Sequence, residues 1–184
     1  MSRYRRSLAD GATFFFTVNL ADRKSALLVT EIDRLRNAYR TAQTRYPFET
    51  VAICVLPDHL HAIWVLPIGD ADFGKRWGAI KHQFSAGLPA ARTRSDSKIA
   101  KREKGIWQRR FWEHQIRNDV DLQHHVDYIH YNPVKHGYVK RAQDWPHSSF
   151  HRYVQDGLLL PDWGYAQQTQ ESGFGEREQK NKNP

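Results

Sequence analysis

Apolar and polar positions change rhythm along the chain, and the changes mark out a series of elements. The run "ATFFFTVNLA" (12–21) is aromatic and β-branched, is bounded by Gly11 and Asp22, and reads as a buried first strand. From about 24 to 46, Leu28, Ile32, Leu35 and Tyr39 recur at i, i+4, i+7 and i+11, one helical stripe with Arg34, Arg36 and Arg40 off it, and Pro47 ends the helix. "FETVAICVL" (48–56) and "HLHAIWVL" (59–66) are strand-like and separated only by Pro57-Asp58, a link short enough for an antiparallel hairpin. A second helix is predicted over about 72–88, with Phe73, Trp77, Ile80 and Phe84 on one stripe and Lys75, Arg76, Lys81 and His82 on its outer side.

Residues 90–104, "AARTRSDSKIAKREK", carry six Lys or Arg and almost no large apolar side chain, the composition of an exposed, mobile basic loop. "IWQRRFWEHQI" (106–116) regains strand character, with Arg109 and Arg110 among its aromatic residues. Asn118 is placed to cap a helix over "DVDLQHHVDYIHYN", where Asp119 and Asp121 suit the positive end of the dipole. Pro133 is expected to stop that helix and Gly137 to turn the chain away. A short helical piece around "HSSFHRYVQ" closes a single domain over 1–165, and the polar stretch 166–184 reads as a disordered tail. The order β-α-β-β-α-β-α predicts an α+β fold, an antiparallel β-sheet with helices packed on it, close to the ferredoxin-like arrangement.

A chain of 184 residues with 40% hydrophobic content builds one core rather than two. Lys and Arg outnumber Asp and Glu by 28 to 20, a net charge of +8 that is the usual electrostatic footprint of a nucleic-acid partner, the bland alternative being a merely basic soluble protein. The single cysteine, Cys54, sits in an apolar run and excludes both a disulfide framework and a thiolate cluster within one chain. No stretch approaches the roughly 18 apolar residues of a membrane span, and the start "MSRYRRSLADG" lacks the apolar segment of a secretory signal, so a cytoplasmic protein is expected.

"PDHLHAIWVL" holds the candidate chemistry. His59 and His61 stand two apart on a predicted strand, hence on one face, and can bind a single ion together. Two ligands do not complete a site, and a bare pair of this spacing is more often core packing. The helix over 119–132 offers the rest: Leu122, Val126 and Ile129 face the core on a helical wheel, Tyr128 and Asn132 form a border row one turn apart, and Tyr131 points to solvent. If that helix packs on the strand of the histidines, two imidazoles, a phenol and an amide oxygen meet. Such a set suits phosphodiester transesterification, with a divalent ion, Mg²⁺ or Mn²⁺, polarising the phosphate and the phenol attacking. A free phenol has a pKa of about 10 and needs nearby positive charge, for which Arg109, Arg110 and Lys135 are candidates. No G-x-x-x-x-G-K-[ST] loop is present, in keeping with a bond-conserving step that uses no nucleotide cofactor.

The segments "LPDHLHAIW", "GIWQRRFWEHQIRN", "HHVDYIHYNPVKHGYV" and "DWPHSSFHRY" resemble the REP-associated tyrosine transposases, a bacterial branch of the HUH single-tyrosine (IS200-like) transposases, over a stretch from about Arg3 to Trp163. The resemblance implies that His59 and His61 bind the metal and that Tyr128 is the nucleophile, forming a 5′-phosphotyrosine link and releasing a 3′-hydroxyl. Insertion-sequence relatives often carry a glutamine one helical turn after the tyrosine as third ligand; here that position is Asn132, one methylene shorter. The implied substrate is single-stranded or hairpin DNA of repetitive extragenic palindromes (REP elements, BIME-type), handled by a monomer or a homodimer. Arg3, Arg5, Arg6, Lys75, Arg76, Lys81, Arg109, Arg110 and Lys135 are the candidate contacts to DNA phosphates. Trp107, Trp112 and Tyr131 are candidate stacking surfaces, though such aromatics are more often core. A different class, a non-catalytic RRM-like nucleic-acid-binding module in which the histidines only pack, lacks its expected aromatic signature in this sequence.

Overall fold

In the computed structural model, which describes residues 11–164, the aromatic first run is β1 (Thr13–Asn19). It pairs antiparallel with β3 (His59–Val65) on one side and with β4 (Trp112–Gln115) on the other. β2 (Glu49–Val55) joins the far side of β3 with a register shift between Thr50 and Ala52. The order β2-β3-β1-β4 is the expected α+β, ferredoxin-like sheet. β1 and β3 read as nearly continuous apolar runs because helices cover both faces of the sheet.

Phe14, Phe16, Val18, Leu60, Ala62 and Trp64 look to one face. There α2 (Ile32–Arg45) and α3 (Phe73–Ser85) bury Leu35, Ala38, Phe73, Trp77, Ile80 and Phe84 against them. Trp64 stacks on Trp77 with ring centroids 4.1 Å apart, and burying each such side chain stabilises the fold by about 2–3 kcal/mol. The other face, with Phe15, Ala52, Cys54 and Ile63, packs on Val126 and Ile129 of α5 (Asp119–Lys135). β2 would be an open edge, but the chain after α5 returns along it. Val55 N–H donates to the His147 carbonyl at 2.9 Å and Ser149 N–H to the Ile53 carbonyl at 2.8 Å. The chain then enters α6 (Phe150–Gln155).

Several sequence expectations are corrected. The first helix is two pieces, α1 (Leu27–Thr30) and α2, because Glu31 leaves helical geometry at φ −109°, ψ 34°; Leu28 and Leu35 are buried all the same. The basic loop contains α4 (Asp96–Ala100) and is fastened by Lys104, whose ammonium donates to the carbonyls of Ser85 and Leu88 at 2.8 and 2.7 Å. Of the predicted strand 106–116 only β4 pairs as a strand; Trp107 makes an isolated bridge to Leu20 and is buried beside Ile106.

Pro133 does not stop α5, which runs on to Lys135. A proline this near the end removes one N–H, and the terminus is closed without it: Tyr138 N–H donates to the Pro133 carbonyl and Gly137 N–H to that of Val134, with Gly137 at φ +72°. Asn118 caps the other end as expected, accepting the Asp121 N–H at 2.9 Å. No helix among the described residues is long and apolar enough to cross a membrane. The expected tail 166–184, and Arg3, Arg5 and Arg6, lie outside the described residues.

Candidate active site

Strand alternation sends His59, His61 and Ile63 of β3 to the face covered by α5. Both histidines are buried, at 1% and 0% exposure. Each is oriented through Nδ1. His59 donates to the Asp58 carboxylate at 2.8 Å, and His61 is hydrogen-bonded to the Thr17 hydroxyl at 2.9 Å. Their Nε2 atoms are buried with no hydrogen-bond partner among the described residues. The rings stand edge to face, centroids 5.0 Å apart.

Tyr128, on α5, presents its ring to His61 at 5.1 Å and to Phe15 at 5.9 Å. The ammonium of Lys135 lies 5.0 Å from the centre of the Tyr128 ring. One helical turn after the tyrosine, Asn132 is fully buried, and neither its amide oxygen nor its nitrogen has a hydrogen-bond partner among the described residues. Leaving such atoms unsatisfied costs about 1–3 kcal/mol each, a cost that a ligand offsets. Two imidazole nitrogens and an amide oxygen are a donor set that fits a divalent cation.

Burial first, and then the charges of His59, His136, Lys135 and Arg23, hold His61 well below the usual histidine range, so it is a neutral, lone-pair-bearing imidazole at neutral pH. Burial works to raise the Asp58 carboxyl, but the His59 hydrogen bond and the charges of His59 and Arg23 outweigh it and keep the group low. Arg23 makes a 2.8 Å ion pair with Asp58, and His136 lies 5.3 Å from His59, ring to ring.

Thr17, Asp58, Arg23 and His136 went unnoticed in the sequence. Asp58 was legible, standing next to His59; Thr17 needed the strand register, and Arg23 and His136 needed the ends of β1 and α5 to be placed.

A second cluster joins β4 to α5. Ligand-type atoms of His114, Asp121 and His125 lie within 4.8 Å of one another and are also of a kind that can hold a metal. Asp121 there already accepts from His114 Nε2 at 2.9 Å and from Arg117 at 2.9 Å (Nε) and 3.1 Å (N–H), which makes it a clamp between the two elements.

The basic residues expected to meet DNA are dispersed. Lys135 stands at Tyr128. Arg109 is held by Glu103 at 2.9 Å and by the Ser97 carbonyl, and Arg110 is exposed. Lys75 and Lys81 belong to α3, on the opposite face of the sheet; Lys75 lies over the Tyr46 ring, and Lys81 donates to the Gln108 carbonyl at 2.9 Å. Arg76 corrects the expected outer row. It is 2% exposed, and its guanidinium grips the Asp70 carboxylate at 2.7 Å and the Pro47 carbonyl, because the α3 wheel turns it toward the α2–β2 connection. Tyr131 is half-buried rather than solvent-facing, with Gly164 so close that an added Cβ would lie 3.3 Å from its ring.

A buried histidine pair on an antiparallel sheet, closed over by a helix that brings a tyrosine to it, is the arrangement expected of the HUH single-tyrosine class. No protein-family model matches the chain. The REP-associated tyrosine transposase of Escherichia coli (strain K12) is 52% identical over 165 residues, covering 89% of this chain and 91% of that protein. A Haemophilus influenzae relative is 50% identical over 165 residues, covering 89% and 94%. A solved structure of a REP-associated tyrosine transposase bound to a REP hairpin superposes with a TM-score of 0.81 at 50% identity, covering 96% of this chain and 98% of that one. The chain belongs to the REP-associated tyrosine transposases.

Proposed function

We propose that the protein is a metal-dependent DNA endonuclease and strand transferase that cuts and rejoins single-stranded or hairpin DNA of the REP type through a 5′-phosphotyrosine intermediate on Tyr128. The observation that carries this reading is the Tyr128 ring 5.1 Å from a buried His61 whose Nε2 has no hydrogen-bond partner among the described residues. A relative of the same fold at 50% identity is bound to a REP hairpin, which supports the substrate class.

His59 and His61 would hold the ion through Nε2, and the Asn132 amide oxygen would be the third ligand, atoms that have no hydrogen-bond partner among the described residues. Asp58 accepts from His59 Nδ1 and so leaves the lone pair on that ring's Nε2, and the Thr17 hydroxyl holds the His61 ring in place at Nδ1. A divalent ion bound there, Mg²⁺ or Mn²⁺, would polarise the scissile phosphate. The Tyr128 oxygen bonds to phosphorus as the bond to the 3′-oxygen breaks; the phenol loses its proton and the departing 3′-oxygen gains one. One phosphodiester replaces another, so the reverse attack by a 3′-hydroxyl rejoins strands without a nucleotide cofactor. Lys135 lends positive charge to the phenol as it ionises.

Incubating wild type and Tyr128→Phe with a labelled hairpin carrying single-stranded flanks and Mn²⁺ tests the reading. A covalent adduct with wild type alone is expected; equal adduct from the Phe variant moves the nucleophile elsewhere. The RRM-like alternative uses open central strands for RNA, and here α5 buries Phe15 and Ile63 of the two central strands while α2 and α3 cover the opposite face.

A further inference from the structure

We infer that Trp112 is a stacking platform for an unpaired nucleobase beside the phosphate held at His61 and Tyr128, an inference that rests on the strand-transfer reading of that site. The strand register carries it. Thr17 faces His61 across one ladder and Trp112 across the other, so the three form one row over β3, β1 and β4 on a single face of the sheet. Two strand spacings put Trp112 about 10 Å along this row from His61. That distance is about the reach of one or two unstacked nucleotides.

α5 buries His61 but leaves Trp112 40% exposed, the one tryptophan among the exposed large hydrophobic side chains of the described residues. Its ring is nevertheless fixed. Phe15 meets it edge-on at 5.5 Å and also meets Tyr128 at 5.9 Å, while His114 lies parallel to it at 5.9 Å. A rigid, half-exposed indole on a strand loses little freedom on stacking.

The surroundings choose a base over a protein partner. Arg110, two residues before Trp112, is exposed, and Arg117, 72% exposed, pairs with the Asp121 carboxylate that also holds His114, the ring parallel to Trp112. An exposed aromatic ring on a strand flanked in sequence by exposed arginines is the composition of a single-strand track.

The test is a binding cycle between protein and DNA. Affinity is measured by fluorescence anisotropy for wild type, Trp112→Ala and Trp112→Phe on hairpins whose flanking nucleotides are made abasic one at a time. Trp112→Ala should weaken binding about tenfold to a hundredfold. One abasic position should cost wild type a similar factor and cost the Ala variant nothing further, and Trp112→Phe should recover most of the loss. The same penalties in wild type and variant at every abasic position overturn the proposal, as does unchanged affinity in Trp112→Ala; a surface for another protein would give that result.

Should the Ala variant fold poorly, 2-aminopurine at the flanking positions decides. Its fluorescence should be quenched at one position by wild type and not by Trp112→Leu, and equal quenching overturns the proposal. These readouts need no chemistry, so absence of the Tyr128 adduct with the cycle intact would indict only the catalytic reading.

Discussion

Tyr128, on a helix, stands edge-on 5.1 Å from His61, on a strand, and the same chain supplies both. α5 is seated from either side of the tyrosine by Val126 and Ile129, buried against Phe15, Ala52 and Ile63, so the helix cannot move away from the histidines without breaking that core.

The orientation of His61 comes from Thr17. Replacing Thr17 by Val keeps the shape and removes the 2.9 Å hydrogen bond at Nδ1, so the buried ring loses the contact that fixes its orientation. Mn²⁺ affinity, measured by calorimetry, should fall about 10- to 100-fold, with a loss of about 1–2 kcal/mol in stability. Unchanged affinity would mean that the hydroxyl does not set the ligand.

Acid should unfold the ion-free protein early. Burial, the leading cause in each case, holds His61, His125, His130 and His147 below the usual histidine range, His130 at about 4. The unfolded chain protonates these groups near pH 6.5 while the folded chain resists, so the unfolded state binds more protons as pH falls below that value. Their stabilisation is complete above pH 6.5 and is lost on descent through the folded-state values. His130 alone accounts for about 3 kcal/mol between pH 6.5 and 4. The urea midpoint should be level above pH 7 and drop steadily below 6.5, and His130→Gln should flatten the slope; a midpoint constant from pH 7 to 4.5 contradicts this.

The order of strands and helices was legible because each element has its own apolar period. Phe73, Trp77, Ile80 and Phe84 fall on one stripe and are all buried, and the wheel that put Tyr128 beside the Ile129 stripe set it at the histidines. Period alone could not locate Arg76, since a long side chain reaches buried carbonyls from a position adjoining the stripe. Nor could it foresee that α5 passes Pro133, which depended on a terminal turn closed by Gly137 and Tyr138. The partners Thr17 and Arg23 lie far in sequence from the histidines they serve, and only strand pairing and loop placement bring them near.

Arg76 and Lys135, both expected to meet DNA, should behave in opposite ways when changed to alanine. Arg76 is buried and bonded to Asp70, Pro47 and Asp72, so its loss empties a packed position and leaves the Pro47 carbonyl without its donor. Arg76→Ala should cost about 2–4 kcal/mol in urea unfolding and leave the salt dependence of hairpin binding unaltered. Lys135 is exposed at the end of α5, with its charge at the Tyr128 ring. Lys135→Ala should change stability by no more than about 0.5 kcal/mol, reduce the slope of log affinity against log salt by about one, and slow adduct formation. The slope follows because one fewer cation releases one fewer counterion, and the rate because the ionising phenol loses a neighbouring positive charge. A slope that drops for Arg76→Ala and stays put for Lys135→Ala would reverse the assignment and place the DNA backbone on the α3 face of the sheet.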